Sequence, residues 1–416
     1  MKTRPNASAA SPDAMCARDT RESLTSGPPR VSVVIAVYGR REKTLACVRS
    51  VLAQDFARNL TRDFARDFAQ DRSKATEREH SPFELIVVDD GSPDDTADAV
   101  EELLAHAPFP CRVLRNEKNL GANRSRNRGV RAARGEFVAF LDSDCIAATD
   151  WLRQLIAPFA DPKVGAVSGL VDDMPATNIW ELAFHGTHRL PRTGDVSRLV
   201  IGNLCVRRAL LLAHTLDESR PARIDPATGR PDLTVSGRSD EEGLNLALRA
   251  AGWRVVAEPS ARAVHDHPYT RRALLRQAWF GGRSAAELVW KYRLGPRKDL
   301  GPILAAHILI ALGALFALVG FRSIATTLLA AGGFSLLLAI AAISYNELRN
   351  KGKSPLQLVV AAPALVVYYE IRAAGYALRR LSLLVGRARI DRVHIADLAA
   401  ALPQPPAARE VLESAR

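Results

Sequence analysis

Cysteine is scarce in this chain. Its five cysteines (Cys16, Cys47, Cys111, Cys145, Cys205) are scattered, with no Cys-x-x-Cys pair and no Cys/His cluster. That excludes a disulfide framework and a structural zinc site, and reads as the reduced thiols of a protein facing the cytoplasm. The first 30 residues lack the apolar core of a secretory signal; rich in Ser, Ala, Pro and Arg, they read as a disordered tail. A Gly-rich phosphate loop is missing as well. The stretch "AVYGRREKT" after the first apolar run holds a single glycine, which argues against a nucleotidyltransferase or a dinucleotide enzyme. No basic–aromatic recognition module is present, so nucleic acid is not an expected partner. In excess is positive charge: 57 Lys+Arg against 45 Asp+Glu, a formal +12, which favours an anionic partner.

The 416 residues, 47% hydrophobic, suffice for one large domain or two ordinary ones. Three zones differ in pattern: residues 31–268, 269–301, and 302 onward. In the first, "VSVVIAVY" (31–38) and "ELIVVDDGS" (84–92) read as buried strands, "CRVLRNE" (111–117) as a third, short strand and "EFVAFLDSDC" (136–145) as a fourth, buried one. Helical patterns alternate with them: "EKTLACVRSVL", "DDTADAVEELLAHA" and "GANRSRNRGVRAARG". This alternation predicts an α/β domain with a mostly parallel sheet and helices on both faces. Ligands of such sheets sit beyond the carboxyl ends of the strands. Residues 54–82 look like an insertion, with Asp-Phe-Ala at Asp55, Asp63 and Asp67 and an apolar residue every fourth position from Phe56 to Phe68. They predict an amphipathic helix without chemistry.

The strand "EFVAFL" stops at two carboxylates one residue apart, Asp142 and Asp144. Strand alternation would put both on one face. Two such charges repel unless a cation compensates them, and hard oxygen ligands at a cleft suit Mg²⁺ or Mn²⁺ bridging to phosphates.

Four ordered blocks then define a resemblance: "VSVVIAVYGRREKTLACVRSVLAQ", "ELIVVDDGSPDDT", "NLGANRSRNRGVRAARGEFVAFLDSDC" and "SDEEGLNLALRAAGWRV…EPSARAVHDH". Together they closely resemble family 2 glycosyltransferases of GT-A (Rossmann-like) fold, over residues 31–267. The resemblance implies a nucleoside-diphosphate sugar donor and a divalent cation, Mg²⁺ or Mn²⁺. It places the nucleoside against Ala36, Tyr38, Glu42, Asp89 and Asp90, with Arg126 and Asn127 also against the nucleotide. Asp142 and Asp144 match the metal and diphosphate motif, Asp144 as the direct ligand. Ala36 stands where the family has proline, and Gly39 where it has asparagine.

Transfer with inversion needs a base for the acceptor hydroxyl. The family's base opens a helix, and the matching positions here are Asp240, Glu241 and Glu242, with Glu241 at the expected distance before Gly252. Acids at a helix N-terminus also serve the macrodipole, so both readings stand. His265 falls where relatives carry a histidine, sometimes a metal ligand; His267 competes with it. "IGNLCVRR" (201–208) resembles the segment bordering the acceptor. Trp151, Trp180 and Trp253 could stack on sugar rings or pack in the core.

Residues 302–321 and 323–345 contain no Asp, Glu, Lys or Arg, and each is long enough to cross a hydrocarbon core of about 30 Å. Only Arg322 separates them, predicting a transmembrane hairpin. The preceding 269–301 segment mixes Arg and Lys with Trp279, Phe280, Trp290 and Tyr292, the pattern of an interfacial helix on an anionic leaflet. Basic residues on both flanks place the domain on the cytoplasmic side of an inner membrane. A third apolar run, 356–369, reads equally as a short or re-entrant span and as a surface helix; a basic tail closes 346–416. The expected activity is hexosyl-type transfer to a lipid-linked or cell-surface glycan acceptor in polysaccharide biosynthesis. The rival is a non-catalytic membrane scaffold of a glycan assembly complex that keeps the fold.

Overall fold

The computed structural model describes residues 29–55, 83–185, 193–196, 199–218, 241–266, 270–295, 300–349, 352–386 and 390–406. The expected N-terminal tail and the helical insertion lie outside the described residues, apart from their edges.

The four sequence-predicted strands are present as β1 (Val31–Val37), β2 (Phe83–Asp89), β3 (Cys111–Arg115) and β4 (Phe137–Leu141). Between them run α1 (Arg41–Leu52), α2 (Thr96–Leu104) and α3 (Ala122–Ala132). These strands are parallel, in the order β3-β2-β1-β4. Beyond β4 the sheet becomes mixed. It continues through β8 (Asn203–Arg207), β6 (Val164–Asp173), β9 (Arg254–His265) and β5 (Cys145–Ala147), with β7 (Gly194–Asp195) on β9. β8 runs antiparallel to both β4 and β6, while β6 and β9 are parallel. The parallel part was legible from unbroken apolar runs; the reversal at β8 is a tertiary pairing with no local signature.

Period-two alternation divides β1 between two cores. Val33 and Ile35 pack under α1 and α4 (Trp151–Ile156) with Leu45, Val48, Trp151 and Leu155. Val34 faces the opposite layer, with Ile86, Val130, Phe140 and Leu244. Burial on both faces explains why these strands read as continuous apolar runs. One carboxylate lies inside this frame. Glu84, on β2, accepts from the Ser32 hydroxyl (2.7 Å), the Arg112 guanidinium (2.8 Å) and the Arg134 amide (2.7 Å).

The remaining described helices are α5 (Ile179–Phe184), α6 (Arg208–Ala213), α7 (Glu242–Ala250), α8 (Arg271–Lys291), α9 (Gly301–Leu318), α10 (Arg322–Arg349), α11 (Pro355–Leu384) and α12 (Ile395–Ala400). The predicted hairpin is α9 and α10, closely packed because Gly332 lets the backbones approach; a Cβ there would lie 2.6 Å from Ile310 Cγ1. Helices α9, α10 and α11 are each long and apolar enough to cross a membrane. Three of the segments take a definite form. The apolar run 356–369 is the first half of a 30-residue helix, α11. The basic segment 269–301 forms α8, but Leu274, Ala278, Ala285, Ala286 and Val289 on it are buried in one cluster with residues of α5 and α11. The C-terminal tail packs back on the domain: Ala399 and Leu402 enter the core beside α7.

The turn that closes β2 tests the sheet's local chemistry. Gly91 has φ +72°, and a Cβ there would come within 2.5 Å of the Lys118 carbonyl carbon. Gly91→Ala is expected to cost about 1–3 kcal/mol, measured as a lowered denaturant midpoint at unchanged slope.

Candidate functional site

The chain makes its site where β1, β2 and β4 end. Leaving β1, it turns through Gly39 (φ 62°) and Arg40 (φ 59°), both left-handed. Glycine and asparagine are the residues that tolerate this conformation most readily, which explains Gly39 in place of the family's asparagine. Arg40 is held in the same region against its own preference, and its guanidinium meets Asp144 Oδ2 at 2.6 Å.

Asp142 and Asp144 do not extend the strand. β4 ends at Leu141, and the next residues form a turn closed by the Cys145 amide donating to the Asp142 carbonyl (2.9 Å). The turn, and not strand alternation, points both carboxylates to the rim. Each meets a different arginine: Arg126 lies 2.7 Å from Asp142 Oδ1, and Arg40 takes Asp144. Gly202 leaves room for this, since a Cβ there would lie 2.7 Å from Asp142 Oδ2.

β5 leads straight on from the turn and pairs with the end of β9, setting Cys145 opposite His265. His265 Nε2 stands 3.3 Å from Asp144 Oδ1. Burial opposes its charged form, but the Asp144 hydrogen bond and the fields of Asp142 and Asp173 outweigh it, so its pKa lies above the ordinary imidazole value. Ligand atoms of Asp144, Cys145 and His265 lie within 4.8 Å of one another. The Cys145 thiol is kept protonated by burial and by Asp142 and Asp144. The carboxylate and imidazole are donors that Mn²⁺ accepts, and Asp144 is only 8% exposed, so these residues fit a divalent cation. Asp142 stands beside the group.

Other expected site residues have structural duties. Asp89 accepts from the Ser92 amide (3.1 Å) and hydroxyl, shaping the turn. Asp90, 3% exposed, accepts from Asn116, Leu120, Gly121 and Ser125 at 2.8–2.9 Å. It fixes the loop into α3. Asn127 is 1% exposed, and its amide exchanges hydrogen bonds with the Leu216 backbone (2.8 and 3.0 Å) and donates to Glu218 (2.8 Å). Ala36 and Tyr38 are half-buried beside the turn, and Glu42 is exposed on α1. Glu241 and Glu242 open α7, where Gly243 sits under the Tyr292 hydroxyl. Asp240 and His267 lie outside the described residues. Trp151 is core, donating to Asn203 (2.8 Å); Trp253 donates to the Pro403 carbonyl (2.6 Å); Trp180 carries Arg271 over its ring.

Arg40 and Asp173 were missed. Arg40 had a signal, a basic pair directly after a strand end. Asp173 had none, because only the pairing of β6 with β9 places it opposite His265. Beside this pair lies a cavity of about 580 Å³. It is walled by Asp172, Asp173 and Val264 on the sheet and by Gly352, Lys353 and Gln357 at the root of α11.

A sequence model of the family described as Glycosyl transferase family 2 matches residues 32–202, the stretch that carries the β1 turn and the carboxylate turn. This part of the chain is a family 2 glycosyl transferase domain. Among similar proteins, the pre-mycofactocin glycosyltransferase of Mycobacterium tuberculosis is 31% identical over 240 residues, covering 55% of this chain and 47% of that protein. The chain thus spans about half the length of the first curated relatives it matches. An N-acetylglucosaminyltransferase of Bradyrhizobium diazoefficiens is 26% identical over 364 residues, covering 80% and 68%. A mannosyltransferase from Pyrobaculum calidifontis, solved with GDP-Man and Mn²⁺, has 18% identity and a TM-score of 0.48 over 87% of this chain and 89% of that one.

The thiols around the site of the family 2 domain should be inert. Burial is the main cause that raises the Cys47, Cys145 and Cys205 thiols, with Asp142 and Asp144 adding to it at Cys47 and Cys145. Iodoacetamide at pH 8 is expected to leave all three unmodified in native protein and to label them after unfolding, read by mass spectrometry. Native-state labelling of Cys145 would contradict the closed rim.

Proposed function

We propose that this chain is an inverting glycosyltransferase using a nucleoside-diphosphate sugar and a divalent cation, Mg²⁺ or Mn²⁺. Its acceptor is lipid-linked or part of a surface glycan and is met at the cytoplasmic face of the membrane. The observation that carries the reading is the convergence of Asp142, Asp144, His265, Arg40 and Arg126 at the carboxyl ends of the strands. This combines a cation site with guanidinium groups suited to a diphosphate.

Asp144 and His265 would hold the cation, which when bound neutralises charge growing on the departing diphosphate. Arg126 keeps Asp142 oriented, and Arg40, freed from Asp144 by a cation, is placed to meet phosphate oxygen. Glu241, between Asp240 and Glu242 at the start of α7, takes the proton of the acceptor hydroxyl as its oxygen bonds to the sugar's anomeric carbon and the bond to the diphosphate breaks. The Asp172–Asp173 cavity receives the acceptor. Its second wall comes from the root of an apolar helix bundle, which favours an acceptor that presents its hydroxyl at a membrane surface.

Thermal unfolding with UDP-, GDP- and dTDP-sugars in Mn²⁺ or Mg²⁺ tests the reading. One donor, at a hundredfold excess over its dissociation constant, should stabilise the full chain by about 3 kcal/mol, and Asp144→Asn should abolish the shift. Glu241→Gln should retain the shift and lose about 10²–10⁴-fold in transfer rate. No stabilisation by any nucleotide sugar would refute donor binding. A donor shift with transfer that survives both substitutions would favour the scaffold alternative.

A further inference from the structure

Among the described residues three helices are long and apolar enough to span, but the contacts at their ends differ. Helix α8 sets the frame. At its start Arg271 lies over the Trp180 ring, 5.9 Å from the centroid. At its end Lys291 pairs with Asp217 (2.5 Å), and Tyr292 sits on Gly243 of α7. Both ends of this 21-residue helix, about 31 Å long at 1.5 Å per residue, therefore rest on the domain.

Helix α11 packs on α8 along that length. Gly375 meets the Trp279 carbonyl so closely that a Cβ would lie 2.5 Å from it, and Gly282 abuts the Arg372 carbonyl. Arg379 reaches Glu287 at 2.6 Å, and Arg380 lies over the Trp290 ring. The ends of α11 are on the domain as well. Before it, the buried Lys353 donates to the His185 carbonyl (2.8 Å) and pairs with Glu347. After it, the Val393 amide donates to the Lys291 carbonyl (2.8 Å), and Pro403 accepts from Trp253 (2.6 Å). A helix whose two flanks are both tied back to the same domain is poorly placed to connect opposite sides of a bilayer.

The hairpin behaves differently. Leu300 and Ile303 at its beginning are buried with Phe184 and Tyr368, and Glu347 at its end is buried with Lys353. Between these roots the large side chains are open: Leu315, Leu318, Phe321, Phe334, Leu337 and Leu338 are all exposed by more than half.

We infer that the chain crosses the bilayer twice, through α9 and α10, and that α11 lies in the interface on the domain's own side. Its occupant is the lipid surface. Leu356, Val359, Val366, Leu378, Leu381 and Leu384 form an exposed apolar stripe opposite the face packed on α8. This stripe is continuous with the hairpin, since Glu370 of α11 meets His307 of α9 at 3.3 Å. An amphipathic helix with arginines beside its apolar face is suited to an anionic headgroup boundary. The inference is independent of the donor and the acceptor.

Sided protease digestion of the full chain in sealed membrane vesicles tests it, with cleavable epitope tags at the N-terminus, at the C-terminus or inserted after Gly320. The terminal tags should be cut from one side and the Gly320 tag only from the other. Terminal tags on opposite sides would mean an odd number of crossings and would overturn the inference. So would a Gly320 tag on the domain side, because α9 would then not cross. The terminal tags alone decide the parity if the insertion variant does not fold.

Discussion

The structure depends on balancing two carboxylates at the end of a buried strand. Asp144 leaves the sheet nearly buried and Asp142 about a third exposed, and each meets positive charge. Arg126 from α3 and Arg40 from the β1 turn provide it, at 2.7 and 2.6 Å. The arrangement accounts for local oddities: the left-handed Arg40, the obligatory approach of Gly202, and the protonated thiols beneath. Strain of this kind persists where the surroundings over-determine it. A cation placed at Asp144 and His265 would take over the balancing now done by Arg40.

Other polar groups near the rim act as fixings. Asp90 gathers four donors from the loop into α3, Asn127 clamps residues 216–218, and Glu84 joins β1, β2 and β3. Buried carboxylates and amides that are fully hydrogen-bonded rigidify what they join. The candidate site thus stands on loops tied down by buried hydrogen bonds, which is what preorganised electrostatics requires.

The apolar helical end is built against the domain rather than hung from it. Glycines at 282 and 375 bring α8 and α11 into backbone contact, and the segment after α11 returns to the core beside α7. The cavity next to Asp173 is completed by Gly352, Lys353 and Gln357, so site and attachment share a wall.

The order of strands and helices from β1 to β4, the carboxylate pair, the hairpin and the family were all legible in the sequence. Each follows from local signals: unbroken apolar runs, a 3.6 period, charge-free stretches, and residue types at fixed spacing. Tertiary structure alone decided what required distant segments to meet. It reversed the sheet at β8, gave Asp144 to Arg40 across 104 positions, set Asp173 beside His265, and turned Asp90 and Asn127 into fixings. It also laid α11 along α8 although its composition suited a span. Hydropathy measures how readily a helix leaves water, whereas its direction is set by what its ends and its small residues touch.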